Sequence, residues 1–331
     1  MLKLANSNPL ALVTGAAGFI GSHLVDTLLE NGDTVIGVDN FRRGRQENLA
    51  QARHHSRFEF HSINLSDEHA VLHELAPRLR YREIGQVWHM AANSDISAGV
   101  GDPHVDHRDT FMTTFNTLLL MRELDIPELI FASTSAVYGD RPGLLHETSG
   151  PQLPISNYGA MKLAAEGLIS AAAESYLKRA FLFRLPNVIG PRLTHGIIYD
   201  LLNKLARNSQ ELEVLGDGTQ QKPYLHIADL IDGLLFVCSN AHEAINLFNI
   251  GPTDDGITVA DIVAAVLTAT ASSAAIRYTG GSRGWPGDVP RFRYSVEKLA
   301  ALGWCCPSSS RDAIHRTLVE VVPCWEPALC R

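Results

Sequence analysis

Cysteine is scarce in this chain: five in 331 residues, and spaced so that they form no recognisable set. Cys305 and Cys306 are adjacent, Cys324 and Cys330 lie near the end, and Cys238 stands apart. An odd number with no CxxC pair argues against a disulfide framework or a zinc site and fits a reduced, cytoplasmic protein. Long apolar runs are also missing. Nowhere do about 18 apolar residues follow one another, as a membrane-spanning helix requires, and Met1–Pro9 lacks the apolar core of a signal peptide. Nor is there an excess of positive charge. The 28 Lys and Arg are outnumbered by 36 Asp and Glu, a net charge of −8, which speaks against nucleic acid or a membrane surface as partner. An anionic ligand must therefore be held by local donors.

What is present is ordinary globular composition, 45% hydrophobic and 19% charged, at a length that suggests two domains. Leu10–Thr14 is a short apolar strand that runs into glycines, and residues 19–31 form an amphipathic helix stopped by Gly32. Residues 34–38 then make a second strand, which completes a βαβ unit. Further strands are expected at 58–61, 86–90, 129–133 and 180–185, separated by helices near 67–80, 105–124 and 157–178. This alternation predicts an α/β fold, a Rossmann-type doubly wound parallel sheet. After Pro186 the rhythm loosens into turn-rich pieces. Residues 1–185 are expected to form the dinucleotide domain, with a return around 224–250. Residues 186–331 are expected to be mainly a smaller C-terminal substrate domain, with the Ala-rich 259–275 as a helix.

Gly15-Ala-Ala-Gly-Phe-Ile-Gly21 sits between the first strand and the first helix. Glycines there allow a tight turn, close approach of a phosphate to the backbone and close helix packing. The helix N-terminus offers N–H donors to a pyrophosphate. Asp39 ends the second strand, where a carboxylate accepts hydrogen bonds from ribose hydroxyls and repels a 2′-phosphate, so NAD is favoured over NADP. Arg42 and Arg43 run against this preference, since arginine accommodates that phosphate.

Tyr158-Gly-Ala-Met-Lys162 places a phenol and a cation one helical turn apart. A phenol has a pKa of about 10; a nearby cation lowers it toward the range where a general base works. A second copy of the pattern, Tyr294-Ser-Val-Glu-Lys298, competes with it.

Together these motifs resemble the extended short-chain dehydrogenase/reductase group, specifically the NAD-dependent epimerase/dehydratase family acting on nucleotide sugars. The likeness also runs through His89-Met-Ala-Ala92, Ser133-Thr-Ser-Ala-Val-Tyr-Gly139, Arg184-Leu-Pro-Asn-Val-Ile-Gly-Pro-Arg192, Gly216-Asp-Gly-Thr-Gln220, Asn249-Ile-Gly251 and Leu302-Gly-Trp304. It implies that Thr134, Tyr158 and Lys162 are catalytic. Tyr158 would take a proton from a sugar hydroxyl, Thr134 would orient that oxygen, and Lys162 would bind the nicotinamide ribose and lower the tyrosine pKa. Cofactor contacts are implied for Gly15, Gly18, Phe19, Ile20, Gly21, Asp39, Asn40, Asn64, Leu65, Ala91 and Ala92, besides Tyr158 and Lys162. Substrate contacts are implied for Thr134, Ser135, Asn187, Ile198 and Lys222. Tyr294 follows no Ser/Thr-ending strand, and its segment looks like a family helix that packs on the substrate domain.

The family's reactions include 4-epimerisation, 4,6-dehydration, decarboxylation and net reduction. The dehydratases this chain resembles carry an Asp-Glu pair directly after the catalytic threonine; here Ser135 and Ala136 stand there. Neither shuttles protons as a carboxylate does, so dehydration is disfavoured. A UDP-glucose/UDP-galactose-like 4-epimerase acting through a 4-keto sugar is expected, with a net 4-dehydrogenase or ketoreductase as the alternative and a non-enzymatic NAD sensor disfavoured. Lys222 replaces the family's arginine and gives up its bidentate fork. The family's Arg-Pro-Gly-Asp appears as Trp285-Pro-Gly-Asp288, which leaves Arg283 or Arg291 to substitute. The pairs His54/His55 and His104/His107 have no Cys or carboxylate set beside them, so no metal is expected; His195 and His226 lie nearer the sugar. Phe111, Met112, Phe115, Leu118 and Leu119 on one helix, and Ala160, Leu163, Ala164, Leu168 and Ala171 on another, suit a homodimer.

Overall fold

The computed structural model describes residues 10–284, 287 and 289–325. The first half alternates as follows: β1 (Leu10–Thr14), α1 (Phe19–Glu30), β2 (Val35–Asp39), β3 (Phe58–Ser62), a π-helical turn (Ala70–Leu75) leading into α2 (Ala76–Leu79), and β4 (Ile84–His89). Next come α3 (Ile96–Gly101), α4 (Pro103–Asp106), a second π-helical turn (His107–Met112) and α5 (Thr113–Glu123). Then follow β5 (Glu128–Thr134), β6 (Leu144–Leu145), α6 (Asn157–Ala173) and β7 (Arg179–Leu185). The second half contains β8 (Asn187–Ile189), α7 (Ile197–Arg207), β9 (Glu211–Val214), β10 (Gln221–Lys222), β11 (Tyr224–His226), α8 (Ile227–Asn240) and β12 (Ile245–Asn249). It ends with β13 (Ile257–Thr258), α9 (Val259–Ala269), β14 (Ala275–Tyr278), β15 (Arg293–Tyr294), α10 (Glu297–Leu302) and α11 (Ser310–Val321).

Seven strands form one parallel sheet in the order β12-β7-β5-β4-β1-β2-β3. Both faces are covered, which is why β1, β2 and β7 read as near-continuous apolar runs rather than alternating ones. The order reverses between β1 and β4, and in open α/β sheets a crevice forms at that point beyond the strand ends. One core joins α1 and α8 to the sheet through Leu24, Leu28, Phe183, Leu230 and Trp304; a second, on the opposite face, is built from Ile36, Val71, Leu120, Phe131 and Ile169. A separate core lies away from the sheet, where Ile198 and Leu202 of α7 meet Leu212, Ile262, Val266 and Ile314.

Two expectations are corrected. The Ala-rich helix stops at Ala269 rather than 275: Ala271 takes φ 48°, and Ala275–Tyr278 is drawn into a parallel pair with β9. Propensity is overridden by tertiary pairing. Tyr294-Ser-Val-Glu-Lys298 does not form one helix on the smaller domain. Tyr294 lies in β15 beside β6, and its buried hydroxyl donates to the Ile250 carbonyl at 3.0 Å. Lys298 on α10 donates to the Leu247 carbonyl at 2.8 Å and lies over the Phe248 ring, so α10 packs on β12 of the main sheet. Both side chains are spent on packing against the main sheet and its neighbouring turn.

Candidate active site

The glycine turn is packed so closely that no side chain would fit at its first and last glycines. Gly15 has φ +67°, and a Cβ on it would lie 2.8 Å from the Ala91 backbone nitrogen; a Cβ on Gly21 would lie 2.0 Å from the Gly15 carbonyl oxygen. The turn is therefore pressed against both the end of β4 and the start of α1, at the switch point of the sheet. No side chain caps α1, so its first N–H groups remain available to an anion. Ala91 and Ala92 follow β4 at this point, while Phe19 and Ile20 are partly buried in the first turn of α1.

At the end of β2, Asp39 accepts N–H bonds from Ala17 at 3.0 Å and Phe41 at 2.7 Å. Burial raises its carboxyl pKa, and these backbone bonds hold it down. Asn40 donates to Asn64 at 3.0 Å, which ties the ends of β2 and β3 together. Leu65 is 4% exposed, with its side chain in the core, so only its main chain faces outward contacts. Arg42 donates to Asp109 at 3.0 Å and Arg43 to Asp95 at 3.2 Å. Both arginines that follow Asp39 are thus held by carboxylates of their own.

Ser156 caps α6 by accepting the Gly159 N–H at 3.1 Å, and this fixes where Tyr158 enters. Tyr158 shares a hydrogen bond with Thr134, the last residue of β5, whose Oγ1 also accepts the Ala136 N–H at 3.1 Å. Ser135 opens the short 3-10 turn that follows. Lys162 is buried, donates to the Ala132 carbonyl at 2.6 Å, and lies 4.4 Å from the Phe131 ring centroid and 6.0 Å from that of Tyr158. Burial pushes its pKa down to about 7, against the upward pull of Glu166 one turn further on. The phenol itself is raised above its ordinary range by burial and by Asp106, and lowered only by the Thr134 bond. The net direction is upward even with Lys162 one turn away. A lysine held near 7 carries only part of its charge at neutral pH.

Behind these groups lies a polar network that the sequence motifs did not reveal. Glu166 receives Arg184 on both oxygens, at 3.0 and 2.7 Å, and the Ser133 hydroxyl at 2.5 Å. Arg184 stacks on Tyr138, whose hydroxyl donates to Asn249 at 2.7 Å. Asp106 is 0% exposed and accepts from Asn93 at 2.8 Å, and burial raises its pKa; among the described residues its Oδ2 has no hydrogen-bond partner. It sits 52 positions from Tyr158 in sequence, so only the packing of α3 and α4 on α6 shows that the two interact. Part of that packing is the Asn157 amide, which donates to the Gly99 carbonyl at 2.9 Å.

On the other side, Asn187 begins β8 and Lys222 ends β10. Ile198 is 1% exposed and its side chain is in the smaller core, so only its main chain could meet a ligand. A cavity of about 370 Å³ opens between residues 140–142 and the smaller domain, lined by Arg141, Thr219, Gln220, Ser282 and Arg291 among others. Arg291 donates to the Thr219 carbonyl at 3.1 Å and faces this cavity, whereas Arg283 is engaged by Asp140 at 2.6 Å. Trp285, Pro286 and Asp288 lie outside the described residues. His226 caps α8 and pairs with Glu320 at 3.0 Å, a structural use. His195 bonds to the Ser94 backbone, near Arg43 and Asp95. Among the described residues no group of three or more His, Cys, Asp or Glu could hold a metal ion, and no helix is long and apolar enough to cross a membrane.

Comparison with known proteins agrees with this geometry. Residues 11–251 match the model of the NAD dependent epimerase/dehydratase family. A UDP-glucose 4-epimerase of Mycolicibacterium smegmatis is 30% identical over 230 residues, 68% of this chain and 71% of that protein. The crystal structure of a UDP-galactose 4-epimerase superposes with a TM-score of 0.84 at 33% identity, covering 96% of this chain and all of that one. A UDP-glucuronic acid 4-epimerase from Bacillus cereus, solved with UDP-glucuronic acid and NAD, gives 0.83 at 26% identity over 96% of this chain and 100% of its own. UDP-glucuronic acid decarboxylases are also among the relatives. With the sheet order, the glycine turn and a matched region this long, the chain belongs to the NAD-dependent epimerase/dehydratase family.

Proposed function

We propose that the protein is a nucleotide-sugar 4-epimerase, which oxidises the sugar at C4 and restores the hydroxyl on the opposite face. One observation carries this reading: Tyr158 bonds to Thr134 with Lys162 one turn behind, in a site where Ser135 and Ala136 replace a proton-shuttling carboxylate pair. Residues 1–185, with the return through α8, β12 and α10, hold the cofactor; the remainder of 186–331 holds the nucleotide sugar. NAD, when bound, supplies the hydride acceptor and a positively charged nicotinamide ring. Gly15, Gly18 and Gly21 would cradle its pyrophosphate, Asp39 would accept hydrogen bonds from its ribose hydroxyls, and Asn40, Asn64 and the Leu65 main chain would border its adenine side.

Tyr158 accepts the proton of the sugar hydroxyl as C4 is oxidised and returns it when the ketone is reduced. Its raised pKa means that it becomes an effective base only with positive charge beside it. Thr134 holds the reacting oxygen within reach, and Lys162, anchored on Ala132, reaches the nicotinamide ribose. Asn187, Lys222 and Arg291 surround the diphosphate end, with the Ile198 main chain nearby. Ser135 and Ala136 leave the site without the acid–base carboxylate pair, so the ketone is not drawn into elimination.

The test is incubation of the purified protein with UDP-glucose, UDP-galactose or UDP-glucuronic acid without added cofactor, with products read by NMR. Appearance of the C4 epimer supports the reading. Stoichiometric NADH with a keto sugar would mark a net dehydrogenase instead, and loss of carbon dioxide from UDP-glucuronic acid a decarboxylase.

A further inference from the structure

The loop after β2 places two cations where a dinucleotide phosphate would profit from them, and the structure holds both of them elsewhere. The loop folds back tightly. Phe41 takes φ 56°, the Arg45 N–H donates to the Ala17 carbonyl at 3.0 Å, and a Cβ on Gly44 would lie 2.8 Å from Ala17 and 2.9 Å from Asp39 Oδ2. Arg42 and Arg43 are thereby tethered within four residues of the Asp39 carboxylate. An arginine at this place in a dinucleotide fold accommodates a 2′-phosphate. Here Arg43 is bound by Asp95 Oδ2 at 3.2 Å, and Arg42 by Asp109 Oδ1 at 3.0 Å.

Both carboxylates are fixed independently of these bonds. Asp95 caps α3: its Oδ1 accepts the Ala98 N–H at 3.2 Å and the Ser97 hydroxyl at 2.5 Å, which leaves Oδ2 for Arg43. Asp109 is gripped by Arg108 at 2.8 and 2.9 Å in the π-helical turn, and is only 12% exposed in its side chain. The guanidiniums are the more exposed partners, with side-chain exposures of 49% for Arg42 and 36% for Arg43. Pairs this exposed contribute little to stability, so their effect is on where the positive charge sits. His195, Asp106 and Asn93 also lie near Asp95: Asn93 donates to the Asp95 carbonyl at 2.8 Å and accepts its N–H at 3.1 Å.

We propose that Asp95 and Asp109 are selectivity residues for the cofactor: by holding Arg43 and Arg42 they withhold from a ribose 2′-phosphate the cations that would bind it. Asp39 repels that phosphate directly, and the two latches remove the compensation the adjacent arginines would provide. The inference rests on the reading of Asp39 as the ribose acceptor.

Asp95→Asn isolates the charge because asparagine caps a helix as well as aspartate does, and Asp109→Asn does so because the amide keeps the shape of a side chain that caps nothing. Wild type and variants are equilibrated with equal NAD and NADP, separated from free nucleotide and extracted, and the bound dinucleotides are quantified by chromatography. Each variant should raise the bound NADP:NAD ratio about tenfold, the worth of one charge-assisted hydrogen bond. Adding Arg43→Ala to Asp95→Asn, or Arg42→Ala to Asp109→Asn, should remove the gain. Unchanged ratios in both aspartate variants overturn the proposal. So does a gain that persists without the guanidinium, since background charge would then explain it. Asp39→Ala is the separate arm: an unchanged ratio and unchanged NAD retention there refute the ribose role of Asp39, while the asparagine variants still decide the latches.

Discussion

Two Tyr-x-x-x-Lys pentapeptides begin as equals at the level of single residues, and their surroundings separate them. Tyr158 shares a hydrogen bond with the end of β5 and keeps part of its surface exposed, whereas Tyr294 donates to the Ile250 carbonyl inside the fold. Tyr158→Phe should leave NAD binding intact and lower turnover by at least about a hundredfold, as expected for loss of a general base. Tyr294→Phe should keep normal kinetics and cost about 1 kcal/mol of stability, the worth of one hydrogen bond. Steady-state kinetics and thermal unfolding of both variants check the pair; equal kinetic losses would mean the site is misplaced. His89 makes a second prediction. It is fully buried between the hydroxyls of Thr14 and Thr114, and burial lowers its pKa to about 3. Between about pH 3 and 6.5 the unfolded chain binds a proton there and the native chain does not, so stability is full above 6.5 and falls with acid. At pH 4 the loss should reach roughly 3 kcal/mol. Unfolding midpoints of wild type and His89→Gln across that range should differ in slope; parallel curves would remove His89 as the cause.

Elements are where pattern reading was strongest and where it missed most. Six of the seven strands of the parallel sheet were legible within a residue or two, because strands buried on both faces read as apolar runs; the seventh, β12, fell inside the expected return around 224–250 without being read as a strand. The catalytic helix was legible from Tyr158 onward. What supports it was not. Glu166, Arg184, Ser133 and Tyr138 come from α6, β7, β5 and the turn after β5, and no local spacing announces that they meet. Glu166→Gln would leave Arg184 buried without its counter-charge and should cost roughly 3–5 kcal/mol, seen as a lower urea midpoint. A midpoint shift below about 1 kcal/mol would mean that the pair is solvated and not structural. Short β15 and α10 were misassigned for a related reason: their partners, β6 and β12, lie far away in sequence.

For the whole molecule, we propose a homodimer formed through α5, the turn before it, and α6. Phe111, Phe115, Leu119, Ala164 and Leu168 remain partly or fully exposed there, whereas Leu118 is buried in the protein's own core and leaves that face. Light scattering at micromolar concentration should give twice the 36.2 kDa chain mass, and Phe115→Glu should give the single chain; a monomeric wild type would refute the pairing. Taken alone, the sequence determined the fold class and the glycine turn between β1 and α1, which are carried by local periodicity and by a motif that a strand and its following turn keep together; the pairing of Tyr158 with Thr134 and the missing dehydratase carboxylates were legible only through the family resemblance. Only the tertiary structure decided where Tyr294 and Lys298 pack, that Asp106 lies close enough to bear on the phenol, and that Arg42 and Arg43 are held by Asp109 and Asp95. Those are contacts between groups far apart in the chain, and the electrostatics of a buried site follow distance in space, which a linear spacing does not encode.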